Sequence, residues 1–282
     1  MSTKYYYLVS GLPELNLDDN KLSFSVADLK EAIYNGLSVS DKKLIDLFFL
    51  KFDNANLLKL LKDKDAVLDG RGCFSSTELN EFISILKENG TISPKLFPVY
   101  LSSFISFYTE SEADSGQLDL SENRLTSMYF DYALKSNNRF VSSWFEFNLN
   151  LNNILIAYSA RQYKIEATPH IIGHNNIAEA LRSSGLRDFS LSGEIEYYDD
   201  LMKIAGITEL LEREKKMDEL RWNWMENAIF FDFFTIERIF VFMVKLEMIE
   251  RWISLDKEKG YRMFREIIQS LKNEVQIPEE FR

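Results

Sequence analysis

The chain has 282 residues, 46% of them hydrophobic and 22 of them Phe, which is enough apolar material for a sizeable core and excludes a disordered polymer. Its 44 acidic and 33 basic residues leave a net charge of −11, which argues against a phosphate-binding surface for nucleic acid and disfavours docking on anionic lipid. The 11 Gly and 5 Pro are too few for a turn-rich all-β fold, while a single cysteine, Cys73, excludes an internal disulfide or a Cys-based zinc site and points to a reducing compartment.

In chain order, the opening MSTKYYYLVSGLPEL has one Lys and too short an apolar stretch for a signal peptide. A loop is predicted at Asp18 to Lys21. Residues 40–62 then place Leu44, Phe48, Phe52, Leu58 and Leu61 on one stripe, which predicts an amphipathic helix. After a loop from Lys62 to Gly72, Ser75 and Glu78 stand at capping-box spacing and start a helix near Ser76 that Asn89-Gly90 stops. Ser93-Pro94 is expected to open the next helix, with Pro at its first position. The acidic stretch Thr109 to Ser121 reads as a solvated loop. Residues 121–163 read as helical with a break at Ser136-Asn137-Asn138. Loops follow at Ala167 to Asn175 and Arg182 to Gly193. Residues 208–255 are expected to contain a helix of more than 20 residues. The aromatics between Trp222 and Phe242 exceed what one helix stripe can hide, so they are either buried all round or part of an exposed partner-binding face. No apolar run reaches the roughly 20 residues a membrane helix requires.

Few constellations suggest chemistry. His170 and His174 are four residues apart, as metal ligands on one helix face can be. Pro169 and Gly173 point instead to a loop, and no neighbouring acidic residue offers an obvious third ligand. Asp65, Asp69 and Gly70 begin a calcium-loop pattern that fails where Val67 and Ser76 occupy ligand positions. Cys73 has no His or Asn in its local sequence to activate it. Dinucleotide, P-loop and nucleophile-elbow motifs are absent from the sequence.

The chain does repeat itself. At an offset of about a third of its length, Phe48, Phe145 and Phe242 align; so do Asp53, Asn150 and Glu247, and then Asn56, Asn153 and Glu250. Such a period suggests one helical unit used three times. The polar columns have two readings: they lie on the wet side of their helices, or they brace interhelical contacts or line a central hollow. The expectation is an all-α, continuous body of three similar helical lobes at 1–90, 91–190 and 191–282.

These windows resemble the C subunit of V/A-type rotary ATPases, called subunit d in eukaryotes. That family carries an acidic-x-x-Asn-Leu segment in each of three helical units. FLKFDNANLLKLLK at 49–62 supplies Asp53 and Asn56. FNLNLNNILIAYSARQYK at 147–164 supplies Asn150, Asn153 and a downstream Arg161. FVFMVKLEMIERWISLDKEKG at 240–260 supplies Lys245 and Glu247, with Lys257 and Gly260 in the family's Lys-x-x-Gly tail. Glu250 and Trp252 replace the expected Asn-Leu, and Asn150 lacks the carboxylate, so the resemblance is to a divergent bacterial branch. It implies a funnel-like, pseudo-threefold bundle without catalytic residues, cofactor or metal of its own. Its partners would be the central-stalk subunits and the membrane rotor ring of a V-type ATPase, on the cytoplasmic face. The rival readings are an unrelated all-α interaction scaffold and a small helical metal-dependent enzyme.

Overall fold

Side chains cap the starts of several helices in the computed structural model, which describes residues 4–88, 90–111, 118–186 and 188–255, with Arg262 and Arg265. Ser25 and Ser75 each close a full capping box, with Asp28 and Glu78 respectively. Ser38, Asn138 and Asn175 accept hydrogen bonds from the first turns of their helices. Each cap satisfies N–H groups that a helix start leaves without partners.

Among the described residues there are eleven α-helices, one 3-10 turn at Thr168–His170 and no strand. The α-helices are α1 (Tyr6–Ser10), α2 (Val26–Tyr34), α3 (Val39–Lys62), α4 (Ser76–Lys87), α5 (Val99–Ser111), α6 (Leu118–Ala133), α7 (Arg139–Tyr163), α8 (Asn176–Ser183), α9 (Tyr198–Ala205), α10 (Leu210–Ala228) and α11 (Ile236–Ser254). The fold is therefore all-α, as the composition suggested. Among the described residues no helix is long and apolar enough to cross a membrane.

Three long helices carry the core. α11 packs against α2, α3 and α10, and α6 packs against α3, α5 and α7. Every residue of α11 from Ile239 to Ile249 is buried, so this helix needs no polar face. Aromatic rings join the long helices. Phe48 of α3 meets Phe240 of α11 edge-on with 6.1 Å between centroids, Phe140 of α7 meets the same ring at 6.1 Å, and Phe147 of α7 stacks on Trp224 of α10 at 4.7 Å. One hydrophobic cluster extends from Tyr5 to Met248.

Several expectations need correction. Pro94 opens only a turn, in which Ser93 accepts the Leu96 and Phe97 N–H groups, and the helix starts after Pro98 at Val99. Residues 208–255 hold two helices of 19 residues rather than a longer one, because the chain turns at 229–235. The stripe on α3 is rotated: Leu57 and Leu60 are buried, whereas Leu58 and Leu61 are only half-buried. Helices α2, α8 and α9 are short, and no long apolar stripe announces them.

Candidate functional site

The repeated polar positions converge on one construction made twice. On α3, Asp53 and Asn56 lie one turn apart and are both completely buried. The Asn56 side-chain amide pairs with the backbone of a single residue, accepting from Asp69 N–H at 2.8 Å and donating to the Asp69 carbonyl at 2.9 Å. Asp53 accepts from Cys73 N–H at 2.8 and 3.0 Å and from Phe74 N–H at 3.1 Å, immediately before the Ser75 cap of α4. The loop between α3 and α4 is thus tied back along the helix it has just left.

On α7, Asn153 repeats the pairing: it accepts from Ile172 N–H at 2.9 Å and donates to the Ile172 carbonyl at 2.7 Å. Asn150 accepts at 2.8 Å from the side chain of Asn175, the residue that caps α8. Both pairs are buried, so they do not lie on the wet side of their helices, and what they hold is a loop rather than a second helix. A cation clamps each loop from outside. Lys30 of α2 donates to the Arg71 and Gly72 carbonyls at 3.3 and 3.0 Å; Arg182 of α8 donates to the Ile171 and Gly173 carbonyls at 2.8 and 2.7 Å.

Each loop also requires a glycine. A Cβ on Gly72 would stand 2.4 Å from Asp53 Oδ1, inside van der Waals contact. Gly173 has φ +81° and a Cβ there would meet Leu149 at 3.1 Å. The left-handed region favours glycine, so here backbone conformation adds to the crowding.

The third pair behaves differently. Glu247 of α11 pairs across the core with Lys51 of α3 at 3.1 Å. Glu250 accepts from Val26 N–H at 3.3 Å, at the start of α2. Arg71, in the first braced loop, chelates Asp69, stacks on Phe52 at 4.1 Å and lies 3.9 and 3.8 Å from Glu247 and Glu250. The third pair therefore joins α11 to the first unit by ionic contacts. Lys257 and Gly260, the expected tail of this unit, lie outside the described residues.

Burial and partners set the electrostatics. Burial pushes the Asp53 carboxyl above its ordinary value, against the opposing pull of the Cys73 and Phe74 N–H groups. The Arg71 hydrogen bond holds Asp69 below its ordinary value. Burial lowers Lys51 while Glu247 opposes the shift, and burial alone brings Lys245 down to about 8 although Glu226 pairs with it. Burial raises the Cys73 thiol, which keeps it in its unreactive protonated form.

The histidines do not converge. His170 ends the 3-10 turn beside Asn123, at 3.4 Å, whereas His174 is exposed and 3.8 Å from Glu179. Among the described residues no group of three or more His, Cys, Asp or Glu side chains is placed to hold a metal. Arg161 donates to the Leu186 and Ser184 carbonyls and lies 3.6 Å over Phe189.

Two features escape a reading of the motifs alone. Asn175 becomes the partner of Asn150 only because the loop folds back; its signal is the cap position before NIAEALRS. The second is an exposed aromatic surface. Phe240 and Phe242 of the aromatic block are buried, but Phe230, Phe231 and Phe233 in the turn before α11 are exposed, Phe231 at 82%. Tyr5 N–H donates to the Phe234 carbonyl at 2.7 Å and Tyr6 packs on Phe234 at 4.7 Å, which brings exposed Tyr6 and Tyr7, the latter 93% exposed, beside that turn. The sequence FFDFF, four aromatics around one aspartate, is its signal.

Fold and braces together define an all-α protein in which one loop-bracing unit is used at least twice. The chain belongs to the family described as "Protein of unknown function (DUF2764)", whose model matches residues 1–275. No curated protein matches the chain, and no solved structure does.

Proposed function

We propose that this protein is a non-catalytic coupling subunit of a V-type rotary ATPase, a funnel-like, pseudo-threefold body that links central-stalk subunits to the membrane rotor ring from the cytoplasmic side. The observation that supports this reading is the use made of the repeat columns. Asp53, Asn56, Asn150 and Asn153, which carry the resemblance to the rotary coupler family, spend their hydrogen bonds on fastening loops to helices. A body that transmits torque needs stiff connections between helices, and buried, fully paired polar groups supply stiffness at defined points. In this reading the aromatic surface at Tyr6, Tyr7 and Phe230–Phe233 is offered to the apolar surface of a partner, since contiguous exposed aromatics are the usual anchors of an interface.

The test is affinity purification of the tagged full-length chain from its native cell under mild detergent, followed by identification of what accompanies it. Stalk and ring subunits at near-stoichiometric levels are expected. Their absence, with other proteins captured reproducibly instead, would reject the ATPase assignment in favour of a general helical scaffold. Stoichiometric metal in the purified chain would favour the enzyme reading over both.

A further inference from the structure

We infer that the recess between the N-terminal segment and α11 binds an apolar α-amino acid in its zwitterionic form, with the carboxylate on Arg238, the ammonium on Glu14 and the side chain against the apolar walls. The sequence places one wall. Arg238, Val241, Phe242 and Lys245 stand three, one and three residues apart, so they share one face of α11. Val9, Leu12 and Leu15 supply the other wall, and the exposed Phe233 ring lines the recess too. The space is about 410 Å³, inside the range of about 300–1,000 Å³ that small-molecule sites occupy.

The charges in the lining select the ligand. Glu14, Glu226, Arg238 and Lys245 all line the recess, and their formal charges cancel. Lys245 and Glu226 pair with each other, and Lys245 Nζ also lies 4.1 Å over the Trp222 ring. That leaves Arg238 and Glu14. Arg238 donates through Nε to the Asp232 carbonyl at 3.1 Å, which holds the guanidinium plane. Its two terminal nitrogens have no hydrogen bond or ion pair among the described residues. They form the edge that a carboxylate accepts from through both oxygens. Glu14, exposed on the N-terminal segment, likewise has no hydrogen bond or ion pair among the described residues. A plain organic acid would bring an uncompensated anion beside Glu14, and a plain amine an uncompensated cation beside Arg238. A zwitterion brings one charge for each. An apolar side chain matches the walls, because a polar one would give up its water there without gaining a partner.

Titration of the full-length chain with L-leucine, followed by ligand-observed NMR, tests this. Binding should saturate with a dissociation constant of about 1 mM or below, the level a ligand of this size reaches. Leucinamide lacks the carboxylate and N-acetylleucine lacks the ammonium, and each should bind about tenfold more weakly through loss of one charge pair. Arg238→Gln and Glu14→Gln should each weaken L-leucine binding by a similar factor. Glu14 is exposed and outside every helix, so its variant keeps the test open if the turn that Arg238 holds does not survive substitution. No saturation, equal affinity for either analogue, or leucine binding unchanged by Glu14→Gln would each overturn the inference. The outcome is independent of which proteins accompany the chain on purification, so it leaves the coupling proposal to its own test.

Discussion

The loops after α3 and after α7 are held by the same device, yet one anchor is charged and the other is neutral. Asn56 and Asn153 each present an amide that matches the N–H and C=O of one backbone residue, so this position tolerates no other side chain of similar size. The position three residues earlier is freer. Asp53 gathers backbone N–H donors directly, whereas Asn150 reaches its loop through the amide of Asn175. The paired amide is therefore the part of the device that geometry fixes, and the charge is local adaptation. Asp53 can be a carboxylate because only donors face it; Asn150 meets a side chain that must also cap α8.

The largest effects are expected at the amides. Asn56→Ala and Asn153→Ala should each destabilise the fold by about 3 kcal/mol, because each leaves a backbone donor and acceptor without partners. Urea unfolding measures both, and equal shifts in midpoint at constant slope support equivalence. A cost confined to one of them would break the comparison. Next come the glycines: Gly72→Ala should cost about 2 kcal/mol through crowding against Asp53, and Gly173→Ala about 1–2 kcal/mol through its positive φ. Thermal melts rank the two, and a neutral Gly72→Ala would mean that the first loop is looser than its contacts indicate.

Asp53→Asn imports the neutral anchor of the second unit into the first, at an expected cost of about 1 kcal/mol at neutral pH. Its pH dependence is the sharper test. Because the folded Asp53 carboxyl titrates above its unfolded value, its contribution to stability is fully present below the unfolded pKa and is lost as pH rises through the folded one. The cost of Asp53→Asn should therefore be smallest at neutral pH and grow on acidification towards about pH 4, the unfolded carboxyl range. Unfolding midpoints of both proteins across that window decide it, and a cost that falls with acid contradicts the raised pKa. The smallest effect on stability belongs to Phe231→Ser, within about 0.5 kcal/mol because the ring is exposed. Under the coupling proposal the same substitution removes stalk or ring subunits from the purified complex, so partner retention without Phe231 would exclude this surface.

Much of the fold was legible because helix ends are local events. Ser75 with Glu78, and Asn138 after the Ser136-Asn137 break, lie within one turn of the boundaries they set. The turn at 229–235 was not legible. Its aromatics have ordinary helical spacing, and within it Phe234 is held against the N-terminal segment, a contact between residues more than 200 apart. Likewise the repeat columns identified Asp53, Asn56, Asn150 and Asn153 as special without saying which way they face. Periodicity gives positions around a helix axis, but burial depends on what packs against that face.

By itself the sequence determined the helical class, most of the long helices and the register of the repeat, since propensity, capping and apolar period act over a few residues. The tertiary structure alone decided that the repeated amides lock loops and that Glu247 and Glu250 meet Lys51, Arg71 and Val26. It also decided which members of the aromatic block stay in water. Those outcomes depend on which distant elements meet, and burying a polar group is tolerable only where another part of the chain arrives to pair with it.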